Sequence, residues 1–297
     1  MNQLQLLSCL LILSLYPAFS FEAAVDYPKL RDSLDEQLQS GVQKSLNRLG
    51  LEDAIARKQL SVVLPDITDI RHPKVASLNG DEMMYAASLP KIAILLGAFV
   101  QIERGQLVLN RTIRRTLTSM IRVSSNEAAT QMFRIVGPRQ IADILQDPQY
   151  RLYDPDKYGG IWCGKEYKEG RLWRRDPINK LSHTPTALQT ARFYYLLETE
   201  RLVSPRLTHV KKEMLSSSGL HHKFVKGLKH QPGIKIYRKS GTWKQWHADS
   251  ALVEHGRYKY IVVALARHPK GGQWLTQLIS PLHEIIVPAQ LAVALPK

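Results

Sequence analysis

The chain has 297 residues, with 41 Lys and Arg against 26 Asp and Glu, a formal charge of +15. Apolar residues make up 44% and charged residues 23%, and the 17 Gly and 16 Pro fall without a period. These figures exclude a collagen-like chain, a disordered tail, a coiled coil and a disulfide-stapled miniprotein. A chain this long can bury a full core.

Leu6 to Phe19 is almost entirely apolar, and no charged side chain occurs between Met1 and Ser20. Ala18-Phe19-Ser20 places small residues at the −3 and −1 positions of a signal-peptidase site. About 14 apolar residues are too few to span a bilayer core of about 30 Å. Residues 1–20 are therefore expected to be a cleaved export leader, and 21–297 a mature domain found in the periplasm or secreted, without a stable membrane anchor. Loss of the leader removes Cys9 and leaves Cys163 alone, so no internal disulfide can form. With no Cys cluster and no HExxH, neither a metal nor a cofactor is expected. The charge fits an anionic cell-envelope polymer as a partner. Its basic stretches lack the interleaved aromatics of a base-stacking platform, and an exported protein does not meet nucleic acid. A monomer is expected.

In chain order, Leu30, Leu34, Leu38, Val42, Leu46 and Leu49 predict an amphipathic helix opened by Pro28 and stopped at Gly50. Two β-like stretches follow, Leu60 to Leu64 and Lys74 to Tyr85, the second with a hairpin signal at Asn79-Gly80. Ser88 to Ile102 reads as a buried helix. Ser124 to Val136, Arg139 to Leu145 and Thr186 to Leu197 are helical, with a long loop over 146–183. The last third alternates as strands, Ile234 to Lys239, His247 to Val253 and Tyr258 to Arg267. A final helix from about Thr276 is interrupted by Pro281 and Pro288. Strands at both ends with helices between imply an α/β (α+β) fold. One antiparallel sheet, assembled from distant segments, carries helices on its faces and a helical lobe at about 92–190 inserted between its halves.

The chemistry concentrates in three short motifs. Ser88-Leu89-Pro90-Lys91 sets a hydroxyl and an amine three residues apart at a helix start, on one face. A Ser is a poor nucleophile until a base takes its proton, and a Lys whose pKa is lowered by burial can do so. Alone, the pattern arises about once by chance in such a chain. Ser124-Ser125-Asn126 offers hydroxyls and an amide ahead of a helix, which capping alone would explain. Lys239-Ser240-Gly241-Thr242 ends a predicted strand, and a Lys-[Ser/Thr]-Gly triplet is expected by chance only about 0.1 times per chain. The three together, in this order and at element ends, are a specific signal.

The set resembles the penicillin-recognising serine enzymes, the class A β-lactamases and the related D-alanyl-D-alanine peptidases. Ser124 to Gly137 reads like the class A segment that begins at its S-D-N triplet, and His183-Thr184-Pro185-Thr186-Ala187 like the start of the helix after the class A Ω-loop. The likeness runs from about Leu60 to the end. It implies Ser88 as the acylated nucleophile, Lys91 as its base, and Ser124 as the donor to the leaving nitrogen. It further implies Asn126 as the side-chain amide site, Lys239 and Ser240 at the substrate carboxylate, and the Ser88 and Thr242 amides, beside Gly241, as the oxyanion hole. The expected activity is hydrolysis of β-lactams through an acyl-enzyme. The alternatives are a D-Ala-D-Ala peptidase or penicillin-binding enzyme that deacylates slowly, another small amidase or esterase, a serine-dependent glutaminase, and a basic envelope-binding module without turnover.

The sequence departs from the family at three points. Ser125 replaces Asp, the stretch from Ser88 to Ser124 is short, and the Ω-loop lacks a clean Glu-x-x-Leu-Asn. Glu169, in Glu169-Gly170-Arg171-Leu172-Trp173, is the nearest match for the deacylation base, and Glu166 and Asp176 also lie in this loop as candidates.

Overall fold

The structure, a computed structural model, describes residues 26–288. The expected leader, its cleavage after Ser20, and Cys9 lie outside the described residues. The elements run α1 (Glu36–Arg48), α2 (Glu52–Ala56), β1 (Leu60–Asp66), β2 (Lys74–Leu78), α3 (Lys91–Glu103), α4 (Arg111–Arg122), α5 (Asn126–Val136) and α6 (Pro138–Gln146). There follow β3 (Tyr153–Asp154), β4 (Gly159–Gly160), β5 (Trp162–Cys163), β6 (His183–Thr184), α7 (Ala187–Glu198), α8 (Pro205–Leu215) and α9 (Phe224–Gly227). The chain closes with β7 (Lys235–Trp243), β8 (Trp246–His255), β9 (Tyr258–Arg267) and α10 (Gly271–Ile286).

The main sheet has the order β2-β1-β9-β8-β7, and all of its pairings are antiparallel. Strand alternation gives it two apolar faces. Val62, Leu64, Val262 and Ala264 pack with α1 and α10. Val63, Val263, Leu252 and Leu265 pack with α3 and α7. The segment between β2 and β7 builds the helical lobe, whose helices continue past residue 190 to α8, while α9 packs on α10 on the other side of the sheet. At the β2 edge, Asp35 N–H donates to the Val75 carbonyl at 3.0 Å and Val75 N–H to the Ser33 carbonyl at 2.8 Å, so the N-terminal segment runs alongside that strand.

Several elements differ from the sequence reading, each for a local reason. The first helix starts at Glu36, because the Asp35 carboxylate caps it by accepting from Leu38 N–H at 2.7 Å. Leu30 falls in a 3-10 turn, and Leu34 is 66% exposed. β2 ends at Leu78. Asn79 takes φ +53° and donates its amide to the Ile55 and Leu60 carbonyls, closing a turn toward α2 and the start of β1 where a hairpin was expected. Ser88 lies in the turn ahead of α3, whose first residue is Lys91. α4 and α8 were not anticipated. In α4 a run of arginines masks Ile113, Leu117, Met120 and Ile121, which carry its buried face. α10 continues unbroken through Pro281, and the 146–183 loop carries three short strands.

α5 begins with a cap made by Ser125, whose hydroxyl accepts from Ala128 N–H at 3.1 Å. Ser125→Ala should therefore cost about 1 kcal/mol and lower the melting temperature by roughly 2–4 °C, whereas Ser125→Asp should restore it; thermal unfolding of the two variants checks this.

Candidate active site

Ser88 and Lys91 share the turn that opens α3. Lys91 is fully buried, and its Nζ donates to the Ser124 carbonyl at 2.6 Å, to Asn126 Oδ1 at 2.8 Å and to Ser124 Oγ at 3.3 Å. Burial pushes its pKa down to about 7, against a small opposing pull from Cys163. At that value a large fraction is neutral near pH 7, with a lone pair available as a base.

Lys239 reaches the same hydroxyl from the other side. Its Nζ donates to Ser124 Oγ at 3.0 Å and to the Ser240 carbonyl at 2.8 Å, and the residue is 2% exposed. Burial first, then the like charges of Lys91 and Arg238, hold its pKa well below the ordinary lysine range. Two amines in contact with one oxygen cannot both be charged without strong repulsion, so they titrate as a coupled pair. Ser124 holds this bridging place with φ +58°, at the end of the turn before α5.

Gly241 brings β7 against the Ser88 turn. A Cβ at this position would collide with the Ala86 carbonyl oxygen and lie 2.8 Å from the Ser88 backbone nitrogen. Only glycine permits this approach, which sets Thr242 beside Ser88 across one cavity of about 310 Å³. The Ser88 N–H has no backbone acceptor among the described residues and is free to bind a developing oxyanion. Ser88 and Asn126 also line this cavity, while Ser240 is 4% exposed on β7 beside Lys239.

Sequence reading missed the groups that hold this strand in place. Lys223 is buried with φ +51°, and its Nζ donates to the Gly241 carbonyl (2.6 Å), Thr242 Oγ1 (2.8 Å) and the Ala248 carbonyl (3.0 Å). Arg238, next to Lys239 and on the opposite face of β7, forms a buried bidentate pair with Asp249 at 2.8 Å and donates to the Leu220 carbonyl at 2.8 Å. No pattern in the sequence marks either residue.

The loop carboxylates lie elsewhere. Glu166 makes a two-bond pair with Arg134 at 2.8 Å, which holds its carboxyl below the usual range. Glu169 borders the Ser88 cavity, but its carboxylate is half-exposed and bound to the same Arg134. Asp176 is fully buried, accepting from Tyr153 OH at 3.2 Å and from the amides of Ile178 and Asn179 at 3.1 and 2.8 Å, and so ties up its own turn. Beside Lys91 stands the ring of Tyr167, 4.6 Å from Nζ, stacked on buried His183 at 4.2 Å. Cys163 is buried 3.8 Å from the Tyr167 hydroxyl, and burial pushes its thiol up to about 12, leaving it unreactive. Among the described residues no cluster of three or more His, Cys, Asp or Glu could hold a metal.

The sheet and its helical lobe are those of the β-lactamase-type fold. The model of the beta-lactamase enzyme family matches residues 42–116 and 109–287, and the chain belongs to that family. No curated protein matches it. Among solved structures it is similar to PBP-A, in a mutant captured as its acyl-enzyme complex with penicillin-G, at 15% identity, with 85% of this chain and 97% of that chain covered and a TM-score of 0.65. The beta-lactamase of Sphaerobacter thermophilus is similar at 14% identity, with 86% and 98% covered and a TM-score of 0.65. An ancestral class A beta-lactamase is similar at 15% identity, with 84% and 100% covered and a TM-score of 0.65. At these identities the likeness carries the fold.

Gly241→Ala should push β7 away from the Ser88 turn and cut labelling of the protein by a fluorescent penicillin by about 100-fold, the scale of losing one oxyanion donor; labelling at the wild-type rate would show that the close approach is not needed.

Proposed function

We propose that the protein is an exported serine enzyme that acylates Ser88 with β-lactams and with peptides of the acyl-D-alanyl-D-alanine type, and that it releases the acyl group slowly. The observation that carries the acylation half is the Ser124 hydroxyl shared by Lys91 and Lys239 beside Ser88. Neutral Lys91 takes the Ser88 proton as Oγ attacks the carbonyl carbon. The oxyanion is received by the Ser88 and Thr242 amides. As the C–N bond breaks, Ser124 gives its proton to the leaving nitrogen and is resupplied by the lysine pair. Charged Lys239, with Ser240, meets the substrate carboxylate, and Asn126 meets the amide of the acyl side chain.

Slow release is supported by what surrounds Lys91. Its close neighbours are Ser124, Asn126 and the Tyr167 ring, while the carboxylates of Glu166 and Glu169 are turned to Arg134. A water needs a positioned base to attack an ester, and none of the three loop carboxylates is free for it. The second reading, a β-lactamase with rapid turnover, is favoured by one observation, the place of Glu169 on the border of the Ser88 cavity. A shift of Arg134 would release that carboxylate.

Mixing near-equimolar protein with a chromogenic cephalosporin separates the two. A burst equal to the protein followed by a plateau is expected, and it should vanish in Ser88→Ala. Steady turnover that Glu169→Gln abolishes would establish the second reading; absence of any burst would remove the acylation chemistry itself. The burst rate should also fall about tenfold per pH unit below about 7, because protonated Lys91 cannot accept the Ser88 proton. A rate flat from pH 5 to 8 would take Lys91 out of the base role.

A further inference from the structure

A second cavity, of about 450 Å³, lies on the outer side of the helical lobe. One wall is a stripe of α6, on which Arg139, Ala142, Asp143 and Gln146 recur at i, i+3, i+4 and i+7. The other is the Trp173–Arg174 segment of the loop. Among the described residues, the side chains of Arg139, Asp143 and Arg174 have no ion-pair or hydrogen-bond partner in the protein. Ala142, the one small residue of the stripe, leaves the floor open.

The loop wall is rigid. Trp173 and Arg174 N–H both donate to the Gly164 carbonyl, at 2.9 and 3.0 Å, and the Arg174 carbonyl accepts from the indole N–H of Trp162 at 3.0 Å. The Trp173 ring stacks on that of buried Trp162, with centroids 6.1 Å apart and planes 21° off parallel. A partly exposed indole is therefore held flat beside two guanidinium groups, one carboxylate and one carboxamide.

We propose that this cavity binds a saccharide unit of a carboxylate-bearing glycan. An indole face suits the C–H face of a sugar ring. Arg139 and Arg174 can take a carboxylate through paired N–H donors. Asp143 and Gln146 supply acceptors for ring hydroxyls and amides.

The site has a spatial relation to the first. Lys165 and Leu172 pair as an antiparallel bridge, and Glu166 N–H donates to the Arg171 carbonyl at 2.9 Å, which makes residues 165–172 a short ribbon. Its tip, Lys168 to Gly170, borders the Ser88 cavity, and its base leads into Trp173. Glu169 and Trp173 are four steps apart along the chain, at most about 13 Å. A glycan held at the base could present a peptide branch of a few residues to Ser88. This link rests on the acyl chemistry proposed above, but the saccharide site does not.

The test is titration of the protein with the disaccharide N-acetylglucosaminyl-N-acetylmuramic acid, followed by tryptophan fluorescence and calorimetry. Saturable binding is expected, weakened at least tenfold in the Arg139→Glu/Arg174→Glu double variant and in Trp173→Leu. Labelling of Ser88 by a fluorescent penicillin should stay at the wild-type level in the arginine variant, which also shows that it is folded. No saturable binding, equal affinity for the neutral N-acetylglucosamine dimer, or undiminished binding by the arginine variant would each overturn the proposal. Disaccharide binding by a wild-type protein that no penicillin labels would support this site and strike only the Ser88 reading.

Discussion

One hydroxyl holds the centre of this molecule together. Ser124 Oγ lies within hydrogen-bonding distance of two buried lysines that come from opposite lobes, Lys91 from the start of α3 and Lys239 from β7. Removing two ammonium groups from water is costly, and the cost is met by lowering their proton affinity and by surrounding them with oxygen acceptors. The geometry that makes the pair tolerable also makes it reactive. It needs β7 pressed against the Ser88 turn, and that contact exists only because position 241 has no side chain. Lys223 and the Arg238–Asp249 pair then hold β7 from behind.

The loop that covers the site is built by a different economy of charge. Arg134 on α5 gathers both Glu166 and Glu169, and Asp176 spends its oxygens on the turn that follows it. Packing near Lys91 falls instead to an aromatic ring and a buried, neutral imidazole. In such a loop the carboxylates organise backbone and surface, and what the loop turns toward the amine is an aromatic ring.

How much of this could be read from the residues alone follows from the range of each interaction. Ser88 and Lys91 are three positions apart and declare themselves through helical geometry, and the long alternating strands β8 and β9 do the same through period two. The start of α1 was misjudged because apolar spacing outweighed one capping carboxylate, Asp35. α4 went unseen because its arginines read as charge before they read as a helix face. The fate of the loop carboxylates was beyond reach for a plainer reason. Arg134 stands 32 residues from Glu166 and 35 from Glu169, and nothing local in the chain records that they meet. Lys223, 18 residues before Gly241, is hidden in the same way.

The two borders of the main sheet are treated unequally. On one side the stretch through Ser33 to Asp35 takes the amide and carbonyl of Val75, and the Gln39 side chain of α1 takes those of Ser77, so that border is already paired within the chain. On the other, β7 is the last strand, buried from Arg238 to Gly241 against the Ser88 turn and open at Thr242 and Trp243, which line the cavity. An uncovered strand border is a template for another chain. Trimming the N-terminal segment back to α1 would bare the amide and carbonyl of Val75 as such a template, so the few residues ahead of α1 guard against self-association as much as they form part of the fold.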